Sequence, residues 1–398
     1  MKTIDTDVLV VGAGPGGSMA AKFAARQGAR TLLIEKRQEI GSPVRCAEGV
    51  SREWMAECEV SEDPRWIATR SDAARIFAPN GTSATIGAKR AGNEVGIVLE
   101  RVLFDKALAE DAARAGADIL LKTFATNVLI DNGVVRGVVG KSLGEDVEIR
   151  AMVTIGADGF ESQVGRWAGL RTMVKTRDVD ATFQYRLANI RCDARYCDFY
   201  LGSCAPGGYI WVFPKSHEVA NVGIGVQMSQ LNGLADTKAY LDGWIASQPA
   251  FRNGKPLDMV AGAVSTSRPL PKTVTPGLML VGDAARLIDP LTGGGIVNAC
   301  ISGKLAGDVA ARAWQARDAS ETFLQSYDRA WRSRMEKKQI RNYLAKEKLA
   351  HLDDETLNTL IGSLSTLDTD ASTMSLLLAI GKKHPRFIAE FAHLLWKT

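Results

Sequence analysis

The 398-residue chain, 46% of it apolar, is long enough to bury a large core and to form two or three domains. Its 49 basic and 45 acidic residues leave a formal charge of +4, a near balance that gives nucleic acid no footprint and argues against it as a partner. No apolar run approaches the roughly eighteen residues of a membrane span, and the first residues enter a strand pattern where a signal sequence would be hydrophobic, so a cytoplasmic protein without an integral anchor is expected.

The first element is a short β-branched strand, Asp7–Val11, running into Gly12-Ala13-Gly14-Pro15-Gly16-Gly17 and an alanine-rich helix to about Gly28. A second strand, Thr31–Ile34, ends on Glu35. G-x-G-x-x-G between strand and helix, with an acid closing the next strand, points to a dinucleotide far more strongly than the bare motif. Gly12 permits the tight turn, Gly14 lets a pyrophosphate approach the backbone, and Gly17 allows helix to pack on strand, while the helix N-terminus faces the phosphates. Glu35 is the expected acceptor for ribose hydroxyls. The alternative, a glycine-rich turn without a ligand, leaves Glu35 unexplained.

Residues from about 75 to 90 and from about 180 to 227 alternate apolar and polar side chains, and the two blocks can share one sheet. Between them, Phe104–Ala115 reads as a helix, and Val134–Val139 and Val147–Ile155 as strands leading to the turn Gly156-Ala157-Asp158-Gly159. Alternation places Tyr209, Trp211 and Phe213 on one face of a strand, where they either pack a sheet or line an apolar tunnel. Leu278–Val281 is a buried strand ending in Gly282-Asp283-Ala284-Ala285. Asp289-Pro290-Leu291-Thr292-Gly293-Gly294-Gly295-Ile296 then opens a long helix containing Asn298 and Gly303.

From about Glu321 the chain is helical. Arg329, Arg332, Arg334, Lys337, Lys338 and Arg341 surround a single acid, Glu336, and form either a solvated face or a docking site for anionic lipid or an acidic redox protein. Leu344, Leu349, Leu352, Leu357, Leu360 and Leu364 suggest amphipathic helices, which serve as core or as partner- and membrane-facing elements. Cys46, Cys58, Cys192, Cys197, Cys204 and Cys300 contain no C-x-x-C pair, so free thiols and no metal site are expected. None of His217, His351, His384 and His393 lies in a motif that would give it a catalytic role.

The N-terminal glycine motif with Glu35, the Asp158-Gly159 turn and Gly282-Asp283, in that order, resemble the FAD-binding fold of the aromatic-hydroxylase class of flavoproteins over about the first 340 residues. Pro206-x-x-Tyr209-x-Trp211-x-Phe213-Pro214 resembles the substrate-domain motif of geranylgeranyl reductases. Gly41-Ser42-Pro43-Val44-Arg45-Cys46-Ala47-Glu48-Gly49 is similar to the same family's segment beside the flavin ring. The likeness runs along nearly the whole chain and is nearer to the archaeal digeranylgeranylglycerophospholipid reductases than to the chlorophyll-pathway branch.

The resemblance implies an α/β (α+β) fold: a discontinuous Rossmann-like FAD domain (1–75, 95–175 and 260–340), an antiparallel substrate sheet (76–94 and 176–259) and a helical C-terminal region (341–398). It implies FAD contacts from Gly12, Gly14, Gly16, Gly17, Glu35, Lys36, Arg45, Cys46, Ala47, Gly49, Arg101, Ala125, Asp158, Asp283, Gly294, Gly295 and Ile296. Arg101 can equally form a salt bridge at a helix start. Backbone N–H groups of the Gly293–Ile296 turn would face the flavin edge where negative charge gathers on reduction.

The implied reaction is hydrogenation of prenyl C=C bonds in an ether phospholipid. Cys46, Tyr209 and Trp211 are the implied catalytic residues, and Tyr209, Trp211 and Phe213 the implied substrate wall. The proton donor stays open between Cys46 and Tyr209. With the one dinucleotide fingerprint taken by FAD, electrons are expected from reduced ferredoxin or NAD(P)H. Peripheral contact of the C-terminus with the inner face of the cell membrane fits an isoprenoid lipid substrate. Two rivals use the same fold. One is a monooxygenase or halogenase, but the W-x-W-x-I-P pattern of flavin halogenases is replaced here by Tyr209-x-Trp211-x-Phe213-Pro214; the other is a quinone-reducing electron-transfer flavoprotein, whose relatives commonly carry a cysteine-rich iron–sulfur segment that this sequence lacks.

Overall fold

The computed structural model describes residues 1–233 and 235–366. A mixed sheet runs in the order Val274–Thr275, Leu278–Leu280, Glu145–Gly156, Lys2–Val11, Thr31–Ile34, Asp118–Leu120. The antiparallel pair Thr123–Asp131 and Val134–Ser142 joins it along the first half of Glu145–Gly156. The first strand begins five residues before the expected Asp7, because Lys2–Thr6 pair in parallel with Val147–Ala151. Its second half, Val8–Val11, is buried under two helices, Pro15–Arg26 and Ile296–Ala316. These two cross backbone to backbone: a Cβ on Gly303 would overlap the carbonyl of Gly16, and one on Gly307 that of Ala20.

The second sheet has the order Lys255–Ser265, Val179–Ala188, Val219–Gln227, Tyr209–Pro214, Tyr196–Tyr200, Ala73–Phe77, Ser83–Gly87. Every pairing is antiparallel except that of Tyr196–Tyr200 with Ala73–Phe77. Both alternating blocks thus enter one sheet. Two expected domain boundaries fall inside its strands. Ala73–Phe77 crosses 75/76, and Lys255–Ser265 crosses 259/260, where the exposed, nearly unpatterned first half of an edge strand hides its register. One face of the sheet packs Ile210, Val212, Val222 and Ile224 against Leu241 and Trp244 of the helix Ala235–Ser247. The opposite face is left for the site.

At the C-terminal end, Glu321–Trp331 passes through a π-type turn, Arg332–Glu336, into Lys337–Leu349, and Asp354–Leu364 follows. Leu357, Leu360 and Ile361 are buried, with Ile361 against Ala78 and Ala84 of the strand pair at residues 73–87, so this helix spends its apolar face on the core. Asp354 pins it there by accepting from the backbone N–H and the hydroxyl of Ser203. The expected helical region beyond residue 366 lies outside the described residues.

Half of the basic cluster is internally paired: Arg332 bonds Asp328 and Glu336, Arg334 bonds Glu57, and Lys338 donates to Asn93 and lies 3.9 Å from Asp289. Arg329, Lys337 and Arg341 remain exposed. No helix among the described residues is long and apolar enough to cross a membrane.

Candidate active site

A cavity of about 840 Å³ lies between the two sheets. Every predicted cofactor contact except Gly17 lines it, and so do Tyr209, Trp211 and Phe213. Gly17 serves a different need. A Cβ there would overlap the Gly12 carbonyl and lie 3.1 Å from the Ala157 side chain, so Gly17 sets the approach of helix to strand and stays behind the cavity wall.

One end of the cavity fits a dinucleotide. Gly14 caps the helix Pro15–Arg26 without a side-chain hydrogen bond, and a Cβ on it would meet nothing within 4 Å, leaving first-turn amides and open space for an anionic group. Glu35 is aimed by two backbone amides, accepting from Ala13 N and Arg37 N at 2.9 Å each. Asp158 accepts from Val164 N at 3.0 Å with one oxygen, while the other is buried with no partner among the described residues. Burial pushes its carboxyl up, and the residue lines the cavity. Lys36 and Arg45 are exposed at the rim, and Ala125 lines the wall from the strand Thr123–Asp131.

Arg101 makes the helix-start salt bridge weighed for it and also stands in the cavity wall. It starts the helix Arg101–Arg114 and forks onto Asp105 at 2.7 Å through each of two nitrogens, yet it also lines the cavity beside Cys46. Burial raises the Cys46 thiol against the pull of the Arg101 cation, so Cys46 is neutral at physiological pH. The helix Ile296–Ala316 begins at Gly295 without a side-chain cap, and burial pushes the neighbouring Asp283 carboxyl up. A Cβ on Gly295 would sit 3.0 Å from Asp283 Oδ1. Free amides, an aimed acceptor and an orphaned carboxylate oxygen together fit the residues of this end to FAD.

The other end is the open face of the second sheet. Register sets Tyr209 opposite Gly225, Trp211 opposite Gly223 and Phe213 opposite Asn221. A Cβ on Gly223 would overlap the Trp211 ring, so the missing side chain lets the indole lie across the neighbouring strand. Trp211 Nε1 donates to Gln184 Oε1 at 2.8 Å, and Gln184 Nε2 donates to the Cys46 carbonyl at 3.0 Å, tying the aromatic strand to the Gly41–Gly49 segment. Tyr209 donates its hydroxyl to the Thr292 carbonyl, which engages its proton with the glycine turn.

Four contributors escaped the sequence reading. Glu48, with φ of 75°, anchors the Gly41–Gly49 segment by binding Lys215 at 2.6 Å, Asn221 Nδ2 at 2.6 Å and Arg101 N at 2.8 Å. Lys215 and Gln184 lie far away in sequence with no local signal. Glu94 lines the cavity from the loop Gly92–Gly96, where an acid between glycines was the one available cue.

A model of the geranylgeranyl reductase catalytic domain matches residues 178–264, the span from Val179–Ala188 to Lys255–Ser265, and one of FAD-dependent oxidoreductases matches residues 7–206. The digeranylgeranylglycerophospholipid reductase of Thermoplasma volcanium is 48% identical over 98% of this chain and 99% of its own. That of Picrophilus torridus is 47% identical over 98% and 100%. The crystal structure of a geranylgeranyl bacteriochlorophyll reductase-like protein from Thermoplasma acidophilum superposes with a TM-score of 0.94 at 46% identity, covering 98% of this chain and 100% of that one. A flavin-dependent brominase, with a TM-score of 0.69 at 17% identity over 96% and 100% of the two chains, shares the fold alone. Near-complete likeness to the reductases, on a site whose residues fit FAD, places this chain in the geranylgeranyl reductase family of FAD-dependent oxidoreductases.

Proposed function

We propose that this reductase saturates the geranylgeranyl double bonds of archaeal ether phospholipids. The observation that carries the reading is the union of the FAD-fitting end and the aromatic sheet face in one cavity. An isolated alkene polarises poorly, so positioning must supply much of the rate. Bound FAD supplies the hydride. The chain's residues hold the double bond against it, exclude water, and provide the proton.

Tyr209, Trp211 and Phe213 form an apolar wall whose π faces favour positive charge developing on the alkene carbon. Cys46, a neutral thiol, sits where this wall meets the Gly41–Gly49 segment. Thr182, Val260 and Gly262 complete the floor, and a Cβ on Gly262 would have only Thr182 Oγ1, at 3.4 Å, and Arg45 Cδ, at 4.0 Å, nearby. Gly262→Leu therefore has room to fold and fills space assigned to the prenyl chain. It should raise KM for full-length chains about tenfold or more, the effect of ~1–3 kcal/mol of lost fit. Unchanged KM would place the chain elsewhere.

The lipid is taken up at the inner face of the cell membrane, and electrons arrive from reduced ferredoxin or NAD(P)H, which rates of anaerobic flavin reduction by each would separate. The test of the reaction is also anaerobic. The holoenzyme is reduced chemically, mixed with digeranylgeranylglycerol phospholipid in detergent, and followed by flavin absorbance and lipid mass. Two hydrogens gained per flavin reoxidised is the expected result. Reoxidation that requires oxygen would instead favour an oxygenase.

A further inference from the structure

Glu94 joins the turn, the aromatic strand and the cavity. It lines the cavity, and its carboxylate oxygens are buried with no hydrogen-bond partner of good geometry among the described residues, the Thr292 side chain being a polar neighbour. A Cβ on Gly294 would overlap its carboxyl group, and one on Gly92 would lie 2.9 Å from Oε2, so glycines hold open the space it occupies. A Cβ on Gly49, at the end of the Cys46 segment, would overlap both the backbone carbonyl of Glu94 and the Phe213 ring. Thus Glu94 stands where the glycine turn, the aromatic strand and the Cys46 segment meet.

The geometry points to Glu94 as the proton donor to the substrate double bond. This inference rests on the reduction proposed above. In the step, the Glu94 O–H bond breaks and a C–H bond forms at one alkene carbon. The other carbon receives hydride from the reduced cofactor, the π bond supplies the electron pair for the new bond to the proton, and Glu94 is left as a carboxylate to be reprotonated from water. No further oxidant or reductant is needed.

The groups around Glu94 suit this role. Burial, then the carboxylate of Asp289, push its carboxyl up to about 8, against the opposing pull of Thr292 and Lys338. Asp289 is satisfied otherwise: Asn342 Nδ2 donates to both its oxygens at 2.9 and 2.7 Å, and Leu291 N donates at 3.0 Å. Tyr209 and Cys197 also face Glu94, and burial raises both, so neither adds a charge at neutral pH. Asp180, which burial pushes up to about 7, influences Tyr209 too but does not line the cavity. Tyr209 has its hydroxyl engaged by Thr292, and the Cys46 thiol is an intrinsically weaker acid than Glu94.

The experiment compares wild-type holoenzyme with Glu94→Gln and Glu94→Asp, each reduced anaerobically and mixed with digeranylgeranylglycerol phospholipid in D2O and H2O across pH 6–10. Wild-type reoxidation should slow as pH rises through about 8, where the donor loses its proton, and in D2O each reduced bond should gain two deuterons, because the donor O–H and the N–H of the chemically reduced flavin both take their hydrogen from solvent. Glu94→Gln should keep its flavin and its half-saturating lipid concentration, reoxidise about 100-fold more slowly, and lose that alkaline limb. Glu94→Asp should recover part of the rate together with the limb. A Glu94→Gln enzyme with the wild-type rate or an unaltered alkaline limb overturns the assignment, as does loss of flavin in both variants, which would make the residue structural. Failure of the wild type itself to reoxidise would instead sink the reduction reading on which the assignment stands.

Discussion

Gly17→Ala is expected to leave little folded flavoprotein, whereas Gly14→Ala is expected to fold normally and bind FAD weakly. Both remove a glycine from the same motif and differ by a single methyl. At Gly17 the methyl would overlap the Gly12 carbonyl and crowd the Ala157 side chain, in a region where Gly12 itself needs φ of 106°. Backbone cannot yield as a flexible side chain does, so the helix Pro15–Arg26 must lift from its strand. That costs at least about 3 kcal/mol, a large share of a domain's stability. At Gly14 the methyl meets nothing within 4 Å, and the backbone, at φ of −72°, suits alanine. It intrudes only into the space assigned to pyrophosphate. Urea titration with circular dichroism, alongside flavin content by absorbance, separates the two. Equal stability of the two variants would refute the packing role of Gly17.

That contrast explains why this half of the site was legible in the sequence. The glycine motif, Glu35 and the strand–helix–strand order lie within one continuous stretch, where each residue's duty follows from local backbone geometry. The aromatic strand was legible because alternation alone sets Tyr209, Trp211 and Phe213 on one face. The glycines that seat Trp211 had a weaker cue, Gly223-x-Gly225 within a strand otherwise rich in valine and isoleucine. Charges were the hardest to place. Arg334 looked unbalanced because its partner, Glu57, lies in another part of the chain. Glu94 looked like an ordinary loop acid because only folding brings the glycine turn against it. Spacing reports what the backbone demands locally; it carries no record of which distant group neutralises a charge.

Lys215 gives the second large effect for the same reason. It is 3% exposed and its partner Glu48 6%, with 2.6 Å between them, so neither charge can turn to water. Lys215 also reaches Glu100 at 3.5 Å and donates to the Leu99 carbonyl, while Arg186 holds Glu100 from the other side at 2.8 Å. Lys215→Met keeps the chain's bulk and removes the cation, leaving Glu48 with only Asn221 and the Arg101 amide as donors. An uncompensated buried carboxylate costs about 3–5 kcal/mol, more than the intact pair contributes over an apolar substitute. Chemical denaturation should register that loss. Glu48 shapes the Gly41–Gly49 segment that carries Cys46, so flavin affinity should fall with stability. Glu48→Gln added to Lys215→Met removes the stranded charge, and the double variant should be more stable than the sum of the single losses by about 1–3 kcal/mol. Simple additivity would mean that the two side chains do not depend on each other and that something else holds the segment beside the cofactor end.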